Sequence, residues 1–265
     1  IMLTMAGVSM PLALLGSFLA GMAAGFVTGF FHTVCGIPAI LAGILTQLAL
    51  YSVNLRIMGQ SNQPVSSREY DLLVNQQNVS VVSLENPIFI SAVFVALIIA
   101  LLYWFFGTEL GASLRATGSN PNMSRAQGIN TSFTTVLGLM ISNGLVALSS
   151  ALLAQYQGFA DVNMGRGAIV IGLAAVIIGE VIFGKLFRNF ALKLFAVAIG
   201  SILYYLVCQV VIWLGLNTND MKLITALIVA IFLTIPNWKG KVFRPRAKAI
   251  SAAAADDQKG GSQDA

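Results

Sequence analysis

The chain has 265 residues, of which 57% are hydrophobic and 9% charged, with a mean hydropathy of +0.83. A soluble domain carries roughly 25% charged residues, so the composition excludes an ordinary soluble protein and indicates one that sits in a membrane. Its net charge of +5 is concentrated at one end, six of the 15 Lys and Arg lying from Lys239 onward, which is a membrane-orientation signal before it is a nucleic-acid footprint.

A helix needs about 20 apolar residues to cross about 30 Å of hydrocarbon. About seven apolar segments are predicted on that measure, near 11–31, 37–57, 87–106, 133–156, 168–183, 194–216 and 222–236. The fold class expected is all-α, a polytopic transmembrane bundle over 1–238, followed by a basic and then disordered cytoplasmic tail over 239–265. The segments at 168–183 and 222–236 are short, and length leaves open whether they span by tilting or re-enter as half-helices buried in protein.

In the first segment Gly21, Gly25 and Gly29 recur every four residues on one helix face, a spacing that lets two helix backbones approach closely in a bilayer. Gln47 lies near the middle of the second, Ser142 and Asn143 near the middle of the fourth, and Gln209 with Tyr204 and Tyr205 in the sixth. Polar groups at such depth are costly; either they hydrogen-bond between helices, or some of them line a solute path, with Gln47, Ser142 and Asn143 the candidates. The segment from Gln60 to Asn86 has turn formers around Val79–Leu84, which read as a short strand or a surface helix.

No catalytic group is expected. His32, Cys35 and Cys208 are the only histidine and cysteines, too few for a metal cluster or a disulfide framework. The run 179–186 has Gly179, Gly184 and Lys185 at the spacing of a phosphate-binding loop, yet Leu186 stands where Ser or Thr would hold magnesium, and an apolar membrane segment precedes it. Nucleotide binding is therefore not expected of this chain. Glu180 is the one acid well inside a segment; it reads as snorkelling to the interface or pairing with Lys185, since a proton relay needs a second intramembrane acid. Gly36-Ile37-Pro38 and Gly165-Arg166-Gly167 introduce Gly-interrupted segments in corresponding halves, a hint of an internal repeat that chance in a Gly-rich chain explains as well.

Lys and Arg beside span ends mark the cytoplasmic side. The tail, with Lys239, Lys241, Arg244, Arg246 and Lys248, is thereby inside, and counting back places the loop with Lys185, Arg188 and Lys193 inside too. The loop over 107–130, with Arg115 and Arg125, also falls inside. The loop over 60–86, with Glu69, Asp71 and Glu85 against Arg68, falls outside, as does Gly158–Gly167.

The longest polar interruption with helix punctuation is Gly107–Asn130. It predicts a short helix between two spans: Asn120 as N-cap, Pro121 at the first helical position, turns over Met123–Gln127, and Gly128 as the stop. Gly111, Leu114, Arg115, Ala116, Gly118, Asn120, Pro121 and Gly128 make this run resemble the cytoplasmic coupling loop of ATP-binding cassette (ABC) transporter permeases, in the bacterial family serving branched-chain amino acids, ribose and related solutes. The blocks Leu19–Gly59 and Gly172–Leu233 carry the same resemblance, so that it covers most of the chain.

The resemblance implies a multi-pass permease of the bacterial inner membrane, without its own cofactor, acting as a homodimer or with a similar permease. ATP and magnesium would be held by partner ATPase subunits docked on the coupling loop through Leu114, Arg115, Ala116, Gly118, Asn120, Pro121, Arg125 and Gly128. An extracytoplasmic solute-binding protein would deliver a small organic solute to the outer face. The blocks ending in Asn54–Gly59 and Gly172–Glu180 look closest to permeases paired with binding proteins for aromatic amino acids or similar solutes. Relatives carry a further span and a polar-acidic element upstream, which implies that at least one N-terminal span is missing here. The alternative from another class is an ATPase-independent secondary transporter or channel; ion-coupled carriers show intramembrane carboxylates or broken helices, against which Glu180 stands alone.

Overall fold

The computed structural model describes residues 1–65, 70, 72–74, 86–165, 168–183, 189–213, 223, 226, 227 and 230. Their elements are α1 (Met2–Met5), α2 (Met10–Thr33), α3 (Ala39–Met58), β1 (Asn62–Pro64), α4 (Pro87–Gly107), α5 (Glu109–Ser119), α6 (Pro121–Ala126), α7 (Thr131–Gln157), β2 (Phe159–Asp161), α8 (Ala168–Phe183) and α9 (Phe190–Trp213). The chain divides into two compact units, Ile1–Arg166 and Gly167–Ala265.

The apolar runs become helices because their backbone groups have no other partner in hydrocarbon, and the punctuation sets their ends. Asn86 caps α4 by accepting from the Ile88 amide at 2.9 Å, with Pro87 at the first position. Asn130 caps α7 by accepting from Phe133 N at 3.1 Å, and α7 runs 27 residues to Gly158, whose φ of +73° only glycine adopts without strain.

Among the described residues five helices, α2, α3, α4, α7 and α9, are long and apolar enough to cross a membrane. The helical polytopic fold thus stands, and the described residues do not confirm a count of seven. Helix α8 covers the predicted fifth segment but has 16 residues, about 24 Å at 1.5 Å per residue, and is shorter than a full span. Nearly all of 222–236 lies outside the described residues, as do Val79–Leu84, Lys185, Arg188 and the tail from Lys239 onward.

In the first unit α2 lies against α7 along Gly21, Gly25 and Gly29. A Cβ at Gly21 would stand 2.5 Å from the Asn143 carbonyl oxygen and 2.6 Å from Ala147 Cβ; one at Gly25 would stand 2.7 Å from Met140 Cα; one at Gly29 would stand 3.0 Å from Val136 Cγ2. Rising numbers in α2 meet falling numbers in α7, so the pair is antiparallel. On the α7 side Gly144 leaves room for Phe18, whose Cε2 would lie 2.8 Å from a Cβ there. Helix α3 returns antiparallel on another side of α2, joined by Thr28 Oγ1 donating to Thr46 Oγ1 at 2.9 Å beside the buried Ala42.

These directions sort the unit into two ends. The turn between α2 and α3, closed by a 2.8 Å contact of His32 Nδ1 with the Ile37 carbonyl, shares one end with the start of α7. At the opposite end β1 and β2 form a two-stranded antiparallel sheet, Asn62 opposite Asp161 and Pro64 opposite Phe159, with Gln63 reaching Met5 Sδ at 3.6 Å. In the second unit α8 and α9 pack antiparallel: a Cβ at Gly179 would strike the Ala196 backbone, one at Gly200 would strike that of Ala175, and Ala174, Ile178, Tyr204 and Cys208 form the core.

Candidate functional site

The stretch Gly107–Asn130 is two helices, where its sequence predicted one. Helix α5 precedes the expected turn because Thr108 caps it, donating to Phe105 O at 2.6 Å and accepting from Gly111 N at 3.3 Å. Gly111, Leu114 and Thr117, three residues apart, turn to the protein. A Cβ at Gly111 would strike Phe106 Cα at 2.5 Å, so α5 folds tightly on the end of α4. Leu114 packs over Gly138 of α7, and Thr117 Oγ1 meets Thr134 Oγ1 at 3.0 Å in a buried hydroxyl pair.

Helix α6 follows with the predicted chemistry. Asn120 Oδ1 accepts from Met123 N at 3.1 Å, Pro121 occupies the first position, and Gly128, with φ of +81°, ends the turn by donating its amide to Arg125 O at 3.0 Å. Ser124 is buried and donates to Asn120 O at 3.0 Å; Arg125 Nε donates to Thr131 Oγ1 at 2.8 Å, tying the arm to the first turn of α7. The arm is held at both ends by long helices. Its outer surface presents Leu110 (53% exposed) and Met123 (59% exposed) beside the exposed Arg115, Gly118, Pro121 and Arg125, whereas Leu114 and Ala116 are half-buried. The exposed surface of the arm is thus mixed apolar and basic.

Among the described residues no hydrogen bond joins Gln47 to Ser142 or Asn143, the residues singled out for a solute path. Gln47 is exposed on α3, and it is its neighbour Thr46 that turns to α2. Asn143 Nδ2 donates to Leu139 O at 2.9 Å within its own helix, while its backbone carbonyl faces Gly21; Ser142 is exposed beside it. Sequence reasoning missed the buried threonines 28, 117 and 134, whose signal is hydroxyl residues on the small-residue faces of their helices. It also missed Gln155, 5% exposed near the sheet end of α7, whose Oε1 has no hydrogen-bond partner among the described residues. Among the described residues no three His, Cys, Asp or Glu side chains are grouped to hold a metal. Glu180 is exposed on α8, and Lys185 lies outside the described residues.

Apolar helices joined through glycine faces, with a capped polar arm at one end, define a polytopic helical membrane protein. Comparison with known sequences sharpens this. The family described as the permease component of branched-chain amino acid transport systems matches residues 1–234, and the chain belongs to this family of ABC transporter permeases. A tyrosine transport system permease protein of Clostridioides difficile is 40% identical over 244 residues, 92% of this chain and 79% of that protein. An uncharacterised protein of Rickettsia prowazekii is 36% identical over 84% of this chain and 78% of its own length. The autoinducer 2 import system permease protein LsrC of Salmonella typhimurium is 28% identical over 181 residues, 66% of this chain and 49% of that protein. No solved structure matches.

Proposed function

We propose that this permease moves a small organic solute, an amino acid or a close analogue, across the bacterial inner membrane by alternating access, driven by separate ATPase subunits that dock on the α5–α6 arm. The observation carrying this reading is the arm itself. It is capped at Thr108 and Asn120, pinned to α7 through Thr117–Thr134 and Arg125–Thr131, and exposed on its outer face. A push on such an arm passes into α4 and α7 as a rigid displacement and is not absorbed by a loop.

The positive charges of Arg115 and Arg125 support a cytoplasmic position for this end, and the β1·β2 end would then face outward, where a solute-binding protein would dock. The working unit would be a homodimer or a pair of similar permeases, with ATP and magnesium on the ATPase partners. An aromatic amino acid is the solute class suggested by the tyrosine permease relative.

The test is to replace Pro121 and Arg125 together, or to delete residues 116–118, and to measure ATP hydrolysis in the assembled complex with loaded binding protein. Membrane insertion should persist while solute-stimulated hydrolysis is lost. Normal stimulation would make the arm a bystander, and uptake that proceeds without any ATPase would favour a secondary transporter or channel.

A further inference from the structure

Helix α3 carries an unused polar face. At about 100° per residue, Gln47, Tyr51 and Asn54 fall within about 60° of one another around the helix axis. All three are exposed, and none of their side chains has a hydrogen-bond partner among the described residues. The face packed on α2 is a different one, centred on Ala42 and Thr46, which are buried at the Thr28–Thr46 bond. Leu41, Leu45, Leu48 and Leu55 occupy a third sector, suited to lipid. Two primary amides and a phenol therefore sit on a membrane-crossing helix with nothing among the described residues to satisfy them, and hydrocarbon cannot do so.

The polarity of this face changes along the axis. Asn54 lies about 22 Å from the start of α3, Tyr51 about 18 Å and Gln47 about 12 Å, so the polar run extends from mid-helix toward the β1·β2 end, with Met58 following it on the same face. Toward the arm end the same face continues as Ile44 and Ile40, the latter 82% exposed. Gly43, beside Ile44, has nothing within 4 Å of where a Cβ would stand. A dry helix-to-helix interface has no reason to be polar in one half and aliphatic in the other. A water-filled vestibule open at one end and sealed at the other accounts for that division.

We infer that Gln47, Tyr51 and Asn54 form one wall of an outward-opening aqueous solute path that ends at mid-membrane, and that Ile40 and Ile44 form its apolar inner seal. The wall carries no charge. It offers amide and phenol hydrogen bonds and one aromatic ring, which suits a small neutral or zwitterionic solute and disfavours an ion. This assignment rests on the importer reading for its inside and outside, and it adds Tyr51 and Asn54 as solute-contacting residues while separating Gln47 from Asn143.

The experiment uses the full chain in cells, with Cys35 and Cys208 replaced by alanine and single cysteines placed at Asn54, Tyr51, Gln47, Ile44, Ile40 and Leu48. A membrane-impermeant thiol reagent added outside should modify Asn54→Cys, Tyr51→Cys and Gln47→Cys at least an order of magnitude faster than Ile40→Cys, Ile44→Cys and Leu48→Cys. Equal rates at all six positions would overturn the proposal. So would protection of the three stripe positions combined with disulfide-linked dimers through Asn54→Cys, which would make the face a contact between copies. A second variant needs no labelling: Gln47→Asp should accumulate in the membrane as the parent does, while Leu48→Asp should be lost, and loss of both would place the stripe in lipid or a dry interface. None of these readouts involves ATP. Failure of labelling with intact ATPase coupling sinks the path alone, and stripe labelling without coupling sinks the importer reading alone.

Discussion

At the residue scale the two helix pairs depend on what is absent from Gly21, Gly25, Gly29, Gly179 and Gly200. Where lipid surrounds a helix there is little hydrophobic gain in pairing, so association comes from close backbone contact, and a single Cβ decides it. Gly25→Ala would push a methyl group into the Leu139–Met140 backbone and should cost roughly 1 to 3 kcal/mol. Gly43→Ala, where the space is open, should be neutral or stabilise by up to about 1 kcal/mol. Thermal unfolding of the two variants in detergent checks this, and equal shifts would mean that the α2–α7 contact does not hold the unit together. The glycine spacing was legible because a four-residue repeat on one helix marks a face. Which helix met that face was not, since any neighbouring span with a small-residue stripe satisfies the same pattern.

At the element scale the arm was half legible. Asn120, Pro121 and Gly128 announced α6 through local chemistry that acts within one turn. Helix α5 was hidden: Gly111 and Gly118 weaken it as an isolated helix, and it persists because Gly111 lets it press on Phe105 and Phe106 while Thr117 bonds Thr134. A six-residue helix cannot sustain itself, so α6 depends on its cap and its ties. Asn120→Ala should cost about 1 kcal/mol locally, raise amide exchange over 121–126 and reduce solute-stimulated ATP hydrolysis, while Asn120→Asp should keep most of both. Unchanged exchange in the alanine variant would show that the Arg125–Thr131 and Ser124–Asn120 bonds hold α6 without the cap.

At the scale of the whole molecule the proposed sidedness rests on charge. The β1·β2 sheet and the arm of the first unit lie at opposite ends of the α2–α7 pair. Ser61→Cys and Ser119→Cys, in a background lacking Cys35 and Cys208, should therefore label from opposite sides: Ser61→Cys in intact cells, Ser119→Cys only after permeabilisation. Labelling of both from one side would displace the arm from the cytoplasm. By itself the sequence determined that the chain is a polytopic helical membrane protein, where most of its helices begin and end, and which loop carries a capped helix, because composition, hydropathy and capping act over one to twenty residues. Tertiary structure decided that Gly21, Gly25 and Gly29 meet α7, that β1 pairs with β2 across about a hundred residues, and that α3 turns Thr46 to α2 and leaves Gln47 exposed. Those outcomes depend on which helix occupies each neighbour's open side, and no span records its neighbour in its own residues.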